Sequence, residues 1–253
     1  MQRNALVQVL DTLLQPQQFK DYGPNGLQVE GKAEVRKVVT GVTASLALIE
    51  AAVAQQADAL LVHHGLFWRG QTGVLTGWMR QRVGLLMAHD INLIAYHLPL
   101  DAHPVWGNNA QLAQRLGLVT DAQMGEQGLL SVGHVQWQGR MEWPSAAALA
   151  QHIEAQLGRS VTYIDGAQRP IRQVAWCTGG GQSFFESAIS VGVDAFITGE
   201  ISEPQAHYAR ECGVAFLACG HHATERYGVT ALGQYIATTH GLDVQFIDID
   251  NPA

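Results

Sequence analysis

Residues 3–15 set apolar side chains at helical spacing, and Pro16 closes the run, so the chain should open with a helix. Pro24-Asn25-Gly26 is a turn signal ahead of a short strand over Leu27–Glu30. Val35–Thr40 reads as a buried strand, Gly41 to Ser45 as a turn, and Leu46–Gln55 as a helix. Asp58–Val62 is a second buried strand that ends on His63-His64. Residues 80–88 look helical, Ile91–Tyr96 is a strand, His97–Asp101 lies in the loop beyond it, and Asn109–Leu116 is a helix.

The pattern then repeats. Val35-Arg36-Lys37-Val38 is matched by Ile171-Arg172-Gln173-Val174, Thr40-Gly41 and Ser45 by Thr178-Gly179 and Ser183, and Asp58-Ala59 by Asp194-Ala195. The opening helix has a counterpart in Ser145–Leu157, and Leu27–Gly31 has one in Thr162–Gly166. A shift of 124 places His97 on His221 and Asp101 on Glu225. Self-similarity over this distance predicts a duplicated α/β unit, with 1–125 and 126–253 as approximate, interlinked copies. Alternating strands and helices predict α/β units with partly parallel sheets, in which ligands gather beyond the carboxyl ends of strands.

Composition narrows the setting. The 253 residues are 47% hydrophobic, enough for one large or two small cores. No apolar run reaches the length of a membrane span and no signal-peptide stretch opens the chain, so a soluble cytoplasmic protein with no membrane partner is expected. Three cysteines without paired spacing fit a reducing compartment and argue against a disulfide frame or a cysteine zinc knuckle. A net charge of −7 with no basic run disfavours non-specific nucleic-acid binding, though not a nucleotide in a pocket.

The candidate chemistry lies in three histidine clusters, each placed just after a strand: His63-His64, His97 with Asp101, and His221 with Glu225. His221 and Glu225 stand four apart at a helix start, so both fall on one face and make half of a metal cage. Each cluster has a plainer reading. Adjacent strand histidines point to opposite faces and could simply be capped by backbone or water. His97 and Asp101 could be turn residues. Glu225 suits a helix start through the dipole, but a charged histidine there does not, whereas a neutral ligating imidazole does. The repetition of the His-x-x-x-acid spacing favours a site for two divalent cations, lying between the two copies. The second copy has Gly199-Glu200 where the first has His63-His64. His222 has no partner in the repeat and is expected to be a bystander, and His89, His103, His134, His152, His207 and His240 are assigned to surface or structural roles. Gly179-Gly180-Gly181 could cradle a phosphate, but a tight turn with Ser183 as the helix cap is the simpler reading. Trp68, Trp78 and Trp106 flank the histidine loops and could stack on a base.

Gly-Val-Thr-Ala-Ser, Val-His-His-Gly, His-Leu-Pro-Leu-Asp-Ala-His, Trp-Cys-Thr-Gly-Gly-Gly-Gln-Ser, Ile-Thr-Gly-Glu and Gly-His-His-Ala-Thr-Glu-Arg, in that order, resemble the YbgI branch of the NIF-three-like family, commonly labelled GTP cyclohydrolase 1 type 2 homologs. The resemblance runs from Asn25 to the end of the chain. It implies two interlinked α/β domains of similar topology, a dinuclear metal centre in the cleft between them, and a toroidal homohexamer. It places metal ligands on His63, His64, Asp101, His221 and Glu225, and His97 near the metals. From this follows a metal-activated water acting on a nucleotide, GTP or a damaged purine nucleotide, with opening at C8 and loss of formate. Glu225 would bridge two cations (Zn, Fe, Mn or Ni) and His97 would shuttle the proton. A dinuclear phosphoesterase and a non-enzymatic metal-binding regulatory or scaffold protein are the other readings.

Overall fold

The computed structural model describes residues 1–253. The first stretch runs α1 (Arg3–Leu14), β1 (Gly26–Val29), β2 (Lys37–Thr43), α2 (Leu46–Ala54), β3 (Ala59–His64), α3 (Gly77–Ala88), β4 (Asn92–Ala95) and α4 (Leu98–Ala102). The next opens with α5 (Asn108–Leu116) and the hairpin β5 (Leu118–Met124) and β6 (Leu130–Val135). It continues through α6 (Ala146–Leu157), β7 (Thr162–Ile164), β8 (Gln173–Trp176), α7 (Phe185–Val191), β9 (Ala195–Thr198), α8 (Glu203–Cys212) and β10 (Ala215–Ala218). The chain ends with α9 (His221–His240) and β11 (Asp243–Phe246).

These elements pack as two compact units. One comprises 1–107 and 228–250, the other 108–227 and 251–253. The C-terminal strand joins the first of these, where β11 pairs in parallel with β2.

The first unit holds a five-stranded sheet in the order β1-β4-β3-β2-β11. All neighbours are parallel except β1, which runs antiparallel to β4. Both faces are covered, which is why the strands read as continuous apolar runs. Alternate residues face opposite ways. Val38, Ala59, Leu61 and Ile94 pack on Leu6, Leu10 and Leu14 of α1 and on Val229, Leu232 and Ile236 of α9. Val39, Leu60, Val62 and Leu93 pack on Leu48 and Ile49 of α2 and on Val83 and Leu86 of α3. Each such leucine, fully buried, stabilises the fold by about 1.5–3 kcal/mol.

The second unit repeats this plan within a six-stranded sheet, order β5-β6-β8-β9-β10-β7. β8, β9 and β10 are parallel and β7 runs antiparallel to β10, as β1 does to β4. One face carries Val174, Trp176, Ile197 and Leu217 against α5 and α6. On the other, Phe185 of α7 sits between Phe196 and Phe216, with ring centroids 5.6 and 4.9 Å away.

The duplication extends to single hydrogen bonds. Asp58 Oδ2 accepts from the backbone N–H groups of Arg36 and Lys37 (2.9 and 3.0 Å), and Asp194 Oδ2 accepts from those of Arg172 and Gln173 at the same distances. Lys32 pairs with Asp58 and Arg169 with Asp194. Outside the repeat correspondence, α2 and α6 each begin under a serine cap, Ser45 and Ser145, whose hydroxyls accept from N–H groups three residues on.

Three details depart from the sequence reading. Gly41–Thr43 continue β2 instead of turning, and His97–Asp101 are no loop, since α4 begins at Leu98. Ser183 caps nothing: it lies in a short 3-10 turn over Gly181–Phe184, ahead of α7. No helix is long and apolar enough to cross a membrane.

Candidate metal centre

In the first unit, β3 ends in His63 and His64, and the rings lie 4.5 Å apart at 45° although neighbours on a strand should diverge. His97 lies two residues beyond β4 as the N-cap of α4, and its carbonyl accepts the Asp101 N–H at 3.2 Å, so the two residues are one helical turn apart. One ring nitrogen from each of His63, His64 and His97 lies within 4.8 Å of the others. His63 Nε2 is 3.5 Å from Asp101 Oδ1, and both residues are buried.

In the second unit, β10 delivers His221 to the start of α9, with Nε2 3.2 Å from Glu225 Oε2. Glu225 is buried. The two pairs are placed alike, His97–Asp101 after β4 and His221–Glu225 after β10, each at a helix start. The first-copy His pair and Gly199-Glu200 likewise occupy matching strand ends, β3 and β9.

What sequence reasoning missed is the support behind the imidazoles. All four are held at Nδ1. His63 Nδ1 lies 3.0 Å from the Tyr96 carbonyl and His64 Nδ1 3.1 Å from the Thr43 hydroxyl. His97 Nδ1 is 2.6 Å from Asp21 Oδ1, and His221 Nδ1 is 2.6 Å from Glu200 Oε1. Where Nδ1 carries the proton and donates it backwards, Nε2 is left with its lone pair, which is the form that a metal-ligating histidine takes. For His63 and His221, that nitrogen faces a carboxylate. This mix of imidazole and carboxylate fits Zn, Fe, Mn or Ni, so His/Asp/Glu clusters able to coordinate metal ions are present.

The electrostatics follow from the same contacts. Burial drives the Asp21 carboxyl upward, but hydrogen bonds from His97 and Asn25 outweigh it and hold Asp21 below the ordinary carboxylate range. Asp21 Oδ2 also accepts the Leu98 N–H at 3.0 Å, fixing the start of α4. At His221 burial favours the neutral ring, yet Glu225 and Glu200 together push its pKa up to about 9. Metal and proton therefore compete for this imidazole.

The glycine run serves this geometry. Gly179 has φ +64°, and a Cβ there would overlap Glu225 Oε1 and stand 2.9 Å from its Cδ. Its N–H donates to Thr224 Oγ1, that of Thr178 to Asn109 Oδ1, and that of Gly181 to Thr198 Oγ1. These three donors are spent inside the fold, which removes the main support for a phosphate cradle. A Cβ on Gly199 would stand 2.6 Å from His221 Cα.

Trp68 packs edge-on to His97 at 5.0 Å and lies 6.0 Å from His64, whereas Trp78 is exposed and Trp106 packs on Tyr235. Among the histidines set aside, His103 Nδ1 accepts the N–H groups of Val105 and Trp106. His152 stacks on Trp143, and His134 and His207 pair with Asp121 and Glu203. The His222 N–H donates to the Ala253 oxygen. Cys177 and Cys219 are buried free thiols and Cys212 is an exposed one.

Comparison with known proteins gives a consistent result. The model of the Duf34/NIF3 (NGG1p interacting factor 3) family matches residues 1–252. A protein of Neisseria meningitidis serogroup B, called GTP cyclohydrolase 1 type 2 homolog, is 54% identical over 240 residues, covering 95% of this chain and 94% of the relative. The solved structure of protein ybgI, described as of unknown function, superposes with a TM-score of 0.96 at 51% identity over the whole of both chains. A protein of Thermus thermophilus, TTHA1606, does so with a TM-score of 0.87 at 35% identity, again over both whole chains.

Proposed function

The chain belongs to the Duf34/NIF3 family, and from that premise we propose that it is a metal-dependent hydrolase acting on a nucleotide. The residues that would hold the two divalent cations are His63, His64 and Asp101 of the first unit and His221 and Glu225 of the second. The observation that carries the reading is the common posture of the imidazoles: Nδ1 backed in every case, Nε2 facing a buried carboxylate at His63 and His221. Structural histidines need no such shared orientation. A ligand set does.

When bound, a cation pair supplies the Lewis acidity that brings the pKa of water from ~15.7 to about 7. The remaining work belongs to side chains. His97, anchored at Nδ1 by Asp21, keeps Nε2 as the atom that accepts the proton of the attacking water and returns it to the leaving nitrogen. Asp21 fixes the orientation of the ring, the part a carboxylate plays behind a catalytic imidazole. Trp68 walls one side of His97. The substrate is GTP or a damaged purine nucleotide, as the name borne by the Neisseria relative suggests, and the working form is a cytoplasmic homohexamer.

Two measurements test this. Elemental analysis of protein purified without chelator should find close to two divalent cations per chain, and with that metal a nucleotide panel should yield ring-opened product and formate. Turnover of phosphate esters alone would point to a phosphoesterase. No hydrolysis with any divalent metal, but a lower melting temperature on chelation, would leave only a metal-binding regulatory or scaffold protein.

A further inference from the structure

Of the four imidazoles at the candidate centre, the two related by the 124-residue shift, His97 and His221, are the ones whose Nδ1 is backed by a carboxylate, whereas His63 and His64 lean on a carbonyl and a hydroxyl. The carboxylates do not correspond. Asp21 comes from the loop before β1, while Glu200 follows β9 at the position held by His64 in the first copy. Inheritance from a common ancestral copy does not account for a 2.6 Å pairing reached from two different places in the chain. A shared requirement of the two imidazoles does.

Glu200 is built for the purpose. Its Oε1 is 2.6 Å from His221 Nδ1, and its Oε2 accepts from Gln182 Nε2 at 3.3 Å, so both oxygens are engaged and the carboxylate is steadied. The Gln182 carbonyl in turn accepts from Gln205 Nε2 at 3.3 Å. Gly199, just before it, donates its N–H to the Gly179 carbonyl at 2.8 Å, and the missing Cβ lets the His221 backbone come close. Yet the Glu200 side chain is 44% exposed, and an ion pair that open to water adds little to folding. Its value must lie elsewhere.

We propose that Glu200 is a positioning residue for the metal ligand His221. By accepting Nδ1–H it fixes the tautomer and the ring plane, so that Nε2 is turned to the side of Glu225. The inference rests on the metal-binding reading above and adds a residue that is not itself a ligand.

The test uses the full chain, stripped by a chelator and titrated with Zn²⁺ against a chromophoric competitor, for wild type, Glu200→Ala and Glu200→Gln. Glutamine keeps an oxygen that can accept Nδ1–H; alanine does not. Glu200→Ala should bind zinc about 10–100-fold more weakly at unchanged stoichiometry, and Glu200→Gln should recover most of that loss. In the zinc-loaded wild type, long-range ¹H–¹⁵N spectra should show His221 protonated at Nδ1, and the Ala variant should lose that single-tautomer signature. The melting temperature of the stripped protein should hardly change. Wild-type zinc affinity in Glu200→Ala, or Glu200→Gln no better than Ala, overturns the proposal. So does loss of a whole equivalent of zinc in both variants, which would make Glu200 a ligand. A wild type that takes up no zinc, iron, manganese or nickel sinks the metal reading itself, so the two failures are distinguishable.

Discussion

Gly179→Ala separates backbone strain from damage to the site, because the structure supplies a matched control. Gly179 (φ +64°) and Gly158 (φ +71°) are both left-handed, but a Cβ on Gly158 meets nothing within 4 Å. Alanine in that conformation costs about 1–2 kcal/mol at either position. For a chain of this length that lowers the melting temperature by roughly 2–8 °C. At Gly179 the new methyl also stands 2.9 Å from Glu225 Cδ and 3.1 Å from His221 Nε2, besides overlapping Glu225 Oε1. Restoring an ordinary carbon–carbon separation of about 3.5–4.0 Å moves the carboxylate by about 0.6–1.1 Å. Metal–ligand distances tolerate only about ±0.2 Å. Gly179→Ala should therefore bind metal more than about 10-fold more weakly, while Gly158→Ala, with a similar loss of melting temperature, binds normally. Metal content after one fixed chelator challenge, read beside thermal melts of both stripped variants, decides it. If Gly179→Ala keeps its full complement of metal, Glu225 and His221 are not where binding happens and the reasoning fails.

Other outcomes follow from the same contacts. His63→Ala or Glu225→Ala should strip metal while His89→Ala does not, and equal metal content in all three would end the ligand assignment. Asp21→Asn should leave metal content near wild type but lower turnover at least about 10-fold, since His97 loses its anchoring charge; unchanged turnover would remove His97 from the proton path. Burial raises the carboxyls of Asp58 and Asp194, but their backbone and cation hydrogen bonds win and hold both below the usual range. A depressed folded-state pKa adds stability above the unfolded value and gives it up as pH falls through the folded one. Asp194→Asn should thus cost about 1–3 kcal/mol near neutrality and progressively less below about pH 4. Urea melts at a series of pH values test this, and a penalty that persists at about pH 2, well below the ordinary carboxylate range, would contradict it.

Much of this was legible in the chain. The parallel strands announce themselves as unbroken apolar runs because helices cover both faces, and Ala59–Val62 and Ala195–Ile197 have no solvent side to mark with polar residues. The histidine clusters stood out for the same reason, as polar residues at the ends of such runs. The β5–β6 hairpin escaped: most of β5 is exposed, its pairing shifts register between Thr120 and Ala122, and Gly133 is required because any Cβ would overlap the Val119 carbonyl. Asp21 escaped because Asp-Tyr-Gly-Pro-Asn-Gly has the composition of any turn, and its bond to His97 spans 76 residues. Glu200 had a signal, the one strand end where the copies differ, but a difference between repeats does not say which residue the new side chain will reach. The glycine run suggested an anion cradle by composition alone; only coordinates reveal that the N–H groups of Gly179 and Gly181 already have partners.

The twin aspartates bear on the order in which the chain acquires its shape. Each reaches back only 21 and 22 residues to two consecutive N–H groups at the head of the preceding strand, and its own N–H donates to that strand at 2.9 Å (Asp58) and 2.8 Å (Asp194). Three bonds thus close a strand–helix–strand loop short enough to form before distant pairings such as β11 with β2, whose closure must wait for almost the entire polypeptide. Each aspartate becomes the clasp of an early nucleus, so its removal should slow refolding more than it speeds unfolding.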